Sequence, residues 1–101
     1  MAIETTFLET QPGFDKVYYF LRVSNGQSVC TVKVGISGPA KLWKTLSADE
    51  YIKAATDWLR HCIEYGKCDP FNHPETDSTI ELTPDALNIW EANRSFQTFP
   101  V

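Results

Sequence analysis

Potential metal ligands are concentrated in one segment of the chain. Thiolate and imidazole are the usual ligands of zinc, and four such residues lie close together in sequence: His61, Cys62, Cys68 and His73. The two cysteines are further apart than the pair of a zinc knuckle. On a helix, Cys62 would also face the apolar side while His61 faces the polar side. We therefore expect no metal and no cofactor, but a core cysteine, a loop cysteine and two surface histidines.

A thiol nucleophile with a histidine base is the second chemistry that this segment could support. A reactive thiolate needs a polar, electropositive environment, whereas Cys68 follows a predicted helix C-terminus, which carries negative partial charge. Cys30 lies in a predicted strand and faces the core. The chain also lacks a phosphate-binding glycine loop, a nucleophile elbow and an HExxH helix. We therefore expect no catalytic residue and a protein that is not an enzyme.

Acidic residues in the following loop offer oxygen ligands for a divalent cation. The candidates are Asp69, Glu75 and Asp77, with Asn72 and His73 beside them. The segment has neither the ligand spacing of an EF-hand nor its central glycine. Two prolines and several Asn and Asp residues favour turns over residues 67–78. We therefore expect a solvated acidic loop.

Aromatic and basic side chains alternate along two adjacent predicted strands and would share one face of a hairpin. Aromatic residues and arginine are enriched in protein interfaces, and rings on a sheet also stack single-stranded nucleic acid. A net charge of −4 argues against the second role. We expect a protein-interaction face, with self-association as its first form, which Phe7 or Thr5 of a first strand would extend. Its residues are Tyr18, Phe20, Arg22, Val29 and Lys33.

The hairpin that carries this face is predicted by Asn25-Gly26, which separates two segments of alternating apolar residues. A two-residue type I′ turn there places Ser24 opposite Gln27 and Phe20 opposite Thr31. The other face of the hairpin is apolar and is predicted to form the core. It comprises Val17, Tyr19, Leu21, Val23, Cys30, Val32, Val34 and Ile36.

The segment from Ser47 to Gly66 predicts one long helix. At about 100° per residue, its apolar side chains occupy roughly half of the cylinder, which is wider than the stripe of an ordinary surface helix. Ser47 and Glu50 form a predicted capping box, and Gly66 suits the position after the last turn. The hairpin alone cannot cover this arc, so we expect part of it to contact a partner. The residues at its edge are Tyr51, Trp58 and Tyr65.

A shorter C-terminal helix is predicted from Pro84 to Ser95, with Thr83 as its N-cap. Residues 79–82 predict a short extended segment, and residues 2–9 predict a first strand that ends at a Pro-Gly turn. Residues 42–46 and the apolar tail 96–101 are expected to dock on the long helix or to contact a partner.

The composition is that of a single globular domain over residues 1–101. Apolar residues make up 43% and charged residues 22% of the sequence, unlike a disordered chain. The N-terminal residues are acidic where a signal peptide is basic, and no apolar segment is long enough to cross a bilayer. Three cysteines are an odd number without a secretory signal, so we expect reduced thiols in a cytoplasmic protein.

These observations predict an α+β fold: a three-stranded antiparallel β-meander packed on one long helix, with a shorter C-terminal helix. The function they favour is that of a small, non-catalytic interaction or regulatory module, a homodimer or the binder of another protein. An accessory protein of a phage or mobile element would fit this size and class. Two alternatives stay open: a nucleic-acid-binding module on the same sheet face, and a small metal-binding or thiol enzyme that uses residues 62–77.

The assigned helix face can be tested by two substitutions. Ordering about twenty helical residues costs roughly 1.5 kcal/mol each, so the helix and the hairpin must bury their faces together and fold as one unit. Leu59→Asp is expected to abolish soluble folded protein, because it puts a charge into the predicted core. Glu64→Lys, on the polar side, should barely shift the Tm measured by circular dichroism. Equal effects of the two changes would contradict the assignment.

Overall fold

A computed structural model describes residues 3–37 and 46–96 of the chain. The elements in chain order are β1 (Glu4–Pro12), β2 (Lys16–Ser24), β3 (Val29–Ser37), α1 (Ala48–Glu64), α2 (Pro74–Asp77), β4 (Thr79–Leu82) and α3 (Pro84–Asn93). The strands form one sheet in the order β1-β2-β3-β4, in which the first three are antiparallel and β4 runs parallel to β3. The predicted α+β class and meander are confirmed, and the predicted extended segment is a fourth strand.

The predicted type I′ turn of the β2–β3 hairpin is wrong by two residues. Ser24 pairs with Val29, so residues 25–28 form a four-residue loop. The Asn25 side chain accepts hydrogen bonds from the backbone N–H groups of Gln27 at 2.9 Å and Ser28 at 2.7 Å, which stabilises the longer loop. A shift of two residues keeps every side chain on its side of the sheet. The predicted apolar face of the hairpin is therefore confirmed.

β1 lies at the edge of the sheet and contains a β-bulge. Phe7 pairs with Leu21 and Glu9 pairs with Phe20, which leaves Leu8 as the extra residue. Thr5, like Phe7, therefore lies on the apolar face of the sheet. The expectation that these two residues extend the aromatic face is wrong, because their pairing partners on β2 face the core.

α1 begins and ends as the sequence predicts. The Ser47 hydroxyl accepts from the N–H of Glu50 at 3.2 Å, and the Glu50 carboxylate accepts from the N–H of Ser47 at 2.9 Å, which completes the capping box. At the other end, Lys67 N–H donates to the Cys62 carbonyl at 2.8 Å and Gly66 N–H donates to the Ile63 carbonyl at 3.2 Å. With Gly66 at φ +71°, this is a Schellman motif.

The apolar arc of α1 is covered within the chain. Leu59 is fully buried in the same core as Leu21 and Val32 of the sheet, and α3 closes the other flank. The Trp90 indole of α3 donates to the Asp57 carboxylate of α1 at 2.8 Å, and the Trp58 indole donates to a backbone carbonyl of β4 at 2.8 Å. The width of the arc is therefore explained by packing on the sheet and α3, and it gives no reason to expect a partner there.

α3 starts at the predicted residue and ends two residues early. The Thr83 hydroxyl accepts from the N–H of Ala86 at 3.3 Å, as the predicted N-cap requires. The chain leaves the helix through Arg94, which has a left-handed φ of 57°. Phe96 then docks in the core and is 4% exposed, while the expected docking of residues 42–45 and 97–101 falls outside the described residues.

The Schellman motif generates a stability prediction. Gly66→Ala should lower the free energy of unfolding by about 1 kcal/mol, because a Cβ is disfavoured at φ +71°. A Cβ built there meets no atom within 4 Å, so steric contact adds nothing to this cost. Gly66→Asn is the matched control and should cost less, since asparagine tolerates the left-handed region. Urea unfolding measures both; an alanine variant as stable as the wild type would refute the role given to this glycine.

Candidate functional site

The outer face of the sheet is the surface that the sequence marks for interaction. Leu21 and Val32 point into the core, so their neighbours in the strands, Phe20 and Lys33, point away from it. The helices α1 and α3 both pack on the core side. We define the outer face as the outward positions of β1 to β4; among those on β2 and β3 are Tyr18, Phe20, Arg22, Val29 and Lys33.

Tyr18, Phe20 and Lys33 form one cluster in the middle of the outer face, here named the aromatic–lysine cluster. The Lys33 ammonium lies 5.3 Å from the centre of the Tyr18 ring and 6.0 Å from that of Phe20. Cation–π contacts of this kind are worth about 0.5–1 kcal/mol at exposed sites. The longer hairpin loop creates this arrangement, because it pairs Phe20 with Lys33 and not with the predicted Thr31.

Two glycines make room for the Tyr18 ring. A Cβ on Gly13 would lie 2.9 Å from the ring, and one on Gly35 would lie 3.1 Å from it. Gly35 is the residue that pairs with Tyr18 across the β2–β3 ladder. The ring therefore lies flat against backbone and is partly buried, which limits its mobility on the outer face.

Charges on the outer face are balanced but separated. The basic residues are Lys16, Arg22 and Lys33, and the acidic ones are Glu4, Glu9 and Glu81. Lys16 and Glu81 form an ion pair across β3, where Gly35 has no side chain in the way. The two remaining acidic residues lie on the edge strand β1, and the two remaining basic residues lie on the central strands β2 and β3. A face with three acidic and three basic side chains is not the basic surface that binding of a phosphate backbone requires.

Phe14 is an exposed aromatic residue that the sequence analysis missed. It is 100% exposed at the tip of the β1–β2 turn, one residue after the glycine that the Tyr18 ring covers. The signal was present, because a phenylalanine between a Pro-Gly turn and an aspartate has no place in an alternating strand pattern. Val29 is 63% exposed at the opposite end of the same face.

The residues predicted at the edge of α1 do not join this face. Tyr51 and Trp58 are buried, because both side chains point into the core that α1 shares with the sheet and α3. Tyr65 is half exposed and its ring lies 4.6 Å from that of His61. The predicted interaction set therefore divides into an accessible outer face, two core residues and one tyrosine on the helical side.

His61 is buried, which corrects the expectation of a surface histidine. Its ring is stacked on Trp58 at 5.5 Å and lies 5.8 Å from Phe96. Burial lowers the pKa of His61 below its usual value, and the nearby Lys67 acts in the same direction. Helical periodicity alone placed this residue on the polar side, because the chain after α3 that covers it is distant in sequence.

The two cysteines at the end of α1 are in contact. Both are buried, and their thiols are hydrogen-bonded to each other. That hydrogen bond lowers the pKa of the Cys62 thiol, against the opposing effect of burial, and raises the pKa of Cys68. Cys68 lies in the loop after α1, as the sequence predicts, and is buried there. No disulfide joins the cysteines, all of which lie in the described part of the chain.

The acidic loop uses its own oxygens as turn acceptors. The Asp77 carboxylate accepts from the N–H of Asp69 at 2.7 Å, and the Asp69 carboxylate accepts from the Asn72 amide at 2.8 Å. The hydrogen bonds from Asn72 hold the pKa of Asp69 below its ordinary value. Within residues 3–37 and 46–96, no group of three or more His, Cys, Asp or Glu side chains is arranged to hold a metal ion.

Comparison with known proteins leaves function to be argued from this geometry. No family model matches the chain, and no curated protein or solved structure shows significant similarity to it. Among the described residues, no helix is both long enough and apolar enough to cross a membrane.

The burial of Tyr51 predicts a specific alkaline transition. Burial, with Tyr19 and two glutamates nearby, raises the pKa of Tyr51 to about 12, compared with about 10 in an unfolded chain. Its stabilising contribution is complete below about pH 10 and is lost as the pH rises toward 12. The stability of the wild type minus that of Tyr51→Phe should therefore fall across this window. Urea unfolding from neutral to alkaline pH measures it, and a constant difference would contradict the assignment.

Proposed function

We propose that the protein is a non-catalytic interaction module that self-associates through the outer face of its sheet. The observation that carries this proposal is the aromatic–lysine cluster, which lies at the centre of a sheet face that α1 and α3 leave uncovered. Solvent-facing aromatic residues are typical of the core of a protein interface. The Tyr18 ring, which lies against two glycines, loses little conformational entropy when a partner covers it.

The separation of charge favours a second copy of the chain as the partner. Glu4 and Glu9 lie on the edge strand, whereas Arg22 and Lys33 lie on the two central strands. Among the described residues, neither Arg22 nor Lys33 forms an ion pair. A two-fold axis brings the same patch of two copies together, so the acidic edge of one copy can meet the basic centre of the other.

The size of the face sets the expected strength of the dimer. Three strands of nine residues each span a flat area of roughly 400 Å², from about 30 Å of length and 14 Å of width. A standard stable interface buries about 800 Å² per partner. Exposed side chains such as Phe14 add to the flat area, but the dimer belongs to the weaker, concentration-dependent end of the range.

Sedimentation equilibrium over a wide concentration range tests the proposal. The wild type should pass from monomer to dimer, and Phe20→Asp should weaken the dimer at least about tenfold, as expected for a central aromatic residue worth about 2 kcal/mol. Asn88→Asp adds the same charge at an exposed position on α3 and is the matched control. Circular dichroism confirms that each variant is folded.

Arg22→Glu provides an independent arm, because Arg22 is exposed and its replacement removes no core contact. It should also weaken the dimer, by reversing a charge at the centre of the face. A wild type that stays monomeric at every concentration contradicts self-association. A dimer that withstands both Phe20→Asp and Arg22→Glu contradicts the choice of the outer face.

A single-stranded nucleic acid is the second candidate ligand of the same face. Two aromatic rings next to a lysine on a sheet could stack bases. The three acidic residues on the face oppose this role, since stacking platforms lie in positively charged grooves. Fluorescence anisotropy with labelled oligonucleotides distinguishes the two: binding that weakens steeply with salt and is lost in Phe20→Asp would favour nucleic acid.

A further inference from the structure

Two of the three cysteines of the chain lie next to each other at the end of α1. Cys62 lies in the last turn of α1, and Cys68 follows that helix. Cys30 lies on the core face of β3, where burial and, to a smaller extent, the charges of Cys68 and Asp69 raise the pKa of its thiol. Two thiols in contact can lose two hydrogens and form a disulfide bond.

The Schellman motif brings Cys62 and Cys68 within bonding reach. It turns the chain back at Gly66, so that the N–H groups of Lys67 and Cys68 both point at the Cys62 carbonyl, at 2.8 and 3.3 Å. Standard bond lengths then limit the separation of the two α-carbons to about 7 Å, close to the range that disulfides span. The interaction between the two thiols, which shifts their pKa values in opposite directions, indicates that the sulfur atoms are close together.

A cavity of about 210 Å³ gives small molecules access to Cys68, one member of this pair. Cys68 lines it, together with Gly66, Phe71 and Asn72. A water molecule takes about 30 Å³ in the liquid, so the cavity can admit hydrogen peroxide, which is only slightly larger. Both cysteines are otherwise buried, which shields them from larger reagents and from other protein thiols.

We propose that Cys62 and Cys68 are a hydroperoxide-reactive dithiol that closes to a reversible intramolecular disulfide. The site is on the core side of the sheet, so the proposal does not rest on the proposed interaction function. The oxidant is a small hydroperoxide, and a small thiol reductant reverses the bond.

The reaction balances with these two residues alone. The Cys68 sulfur, which lines the cavity, passes its proton to the Cys62 thiolate and attacks the terminal oxygen of the peroxide. The O–O bond breaks, and the leaving oxygen takes a proton to depart as water or an alcohol. The Cys68 sulfenic acid is then attacked by the Cys62 sulfur, which releases its proton with the hydroxide as a second water. Two thiols are oxidised to one disulfide, and one peroxide is reduced. The hydrogen bond between the two thiols prepares the first step, because it favours the Cys62 thiolate that takes up the proton of Cys68.

Peptide mapping of the oxidised wild type tests the proposal directly. Trypsin cleaves after Arg22, Lys33, Arg60, Lys67 and Arg94, so the three cysteines fall in separate peptides, residues 23–33, 61–67 and 68–94. After treatment with hydrogen peroxide, the thiol count should fall from three to one and the intact mass should drop by two hydrogens. Peptides 61–67 and 68–94 should be joined, and dithiothreitol should separate them.

Cysteine-to-serine variants identify which two cysteines form the disulfide. Cys30→Ser is the matched control and should form the same link, whereas Cys62→Ser and Cys68→Ser should form none. Mapping of the wild type decides the matter by itself if a variant does not fold. The proposal is overturned if the wild type keeps three thiols, if it proceeds to sulfinic acid without a disulfide, or if the link contains peptide 23–33.

Discussion

Burial of the hairpin's apolar face beneath α1 is the contact on which the rest of the structure depends. Neither surface can be stable alone, because a lone helix or hairpin of this length is marginal in water. Leu21, Val32 and Leu59 meet in this layer and are completely buried. The capping box and the Schellman motif set the length of α1.

The same contact creates the outer face. With α1 and α3 both on the core side, the aromatic–lysine cluster is turned away from the core. An antiparallel sheet can expose one polar face to water, but here that face has the Tyr18 ring against two glycines and charges of opposite sign on different strands. These features suit a surface that a partner covers in part. They are the basis of the proposed interaction function.

The Schellman motif at the end of α1 both ends the helix and positions two cysteines. Gly66 lets the chain reverse, which satisfies the last carbonyls of the helix and also returns Cys68 to Cys62. The Cys62–Cys68 pair is therefore set by backbone geometry, while burial limits what can reach it. The outer face and this pair lie on opposite sides of the sheet, so one can be altered without touching the other.

The sequence by itself determined what depends on near neighbours: the helix caps at Ser47 and Thr83, the end at Gly66, and the two faces of the hairpin, because caps and side-chain alternation are local. It also marked Tyr18, Phe20 and Lys33 for one face. Only the tertiary structure decided the hairpin register, the parallel pairing of β4, and the burial of Tyr51, Trp58 and His61. These features depend on segments distant in the chain, and which side chain covers another is settled only when the elements pack.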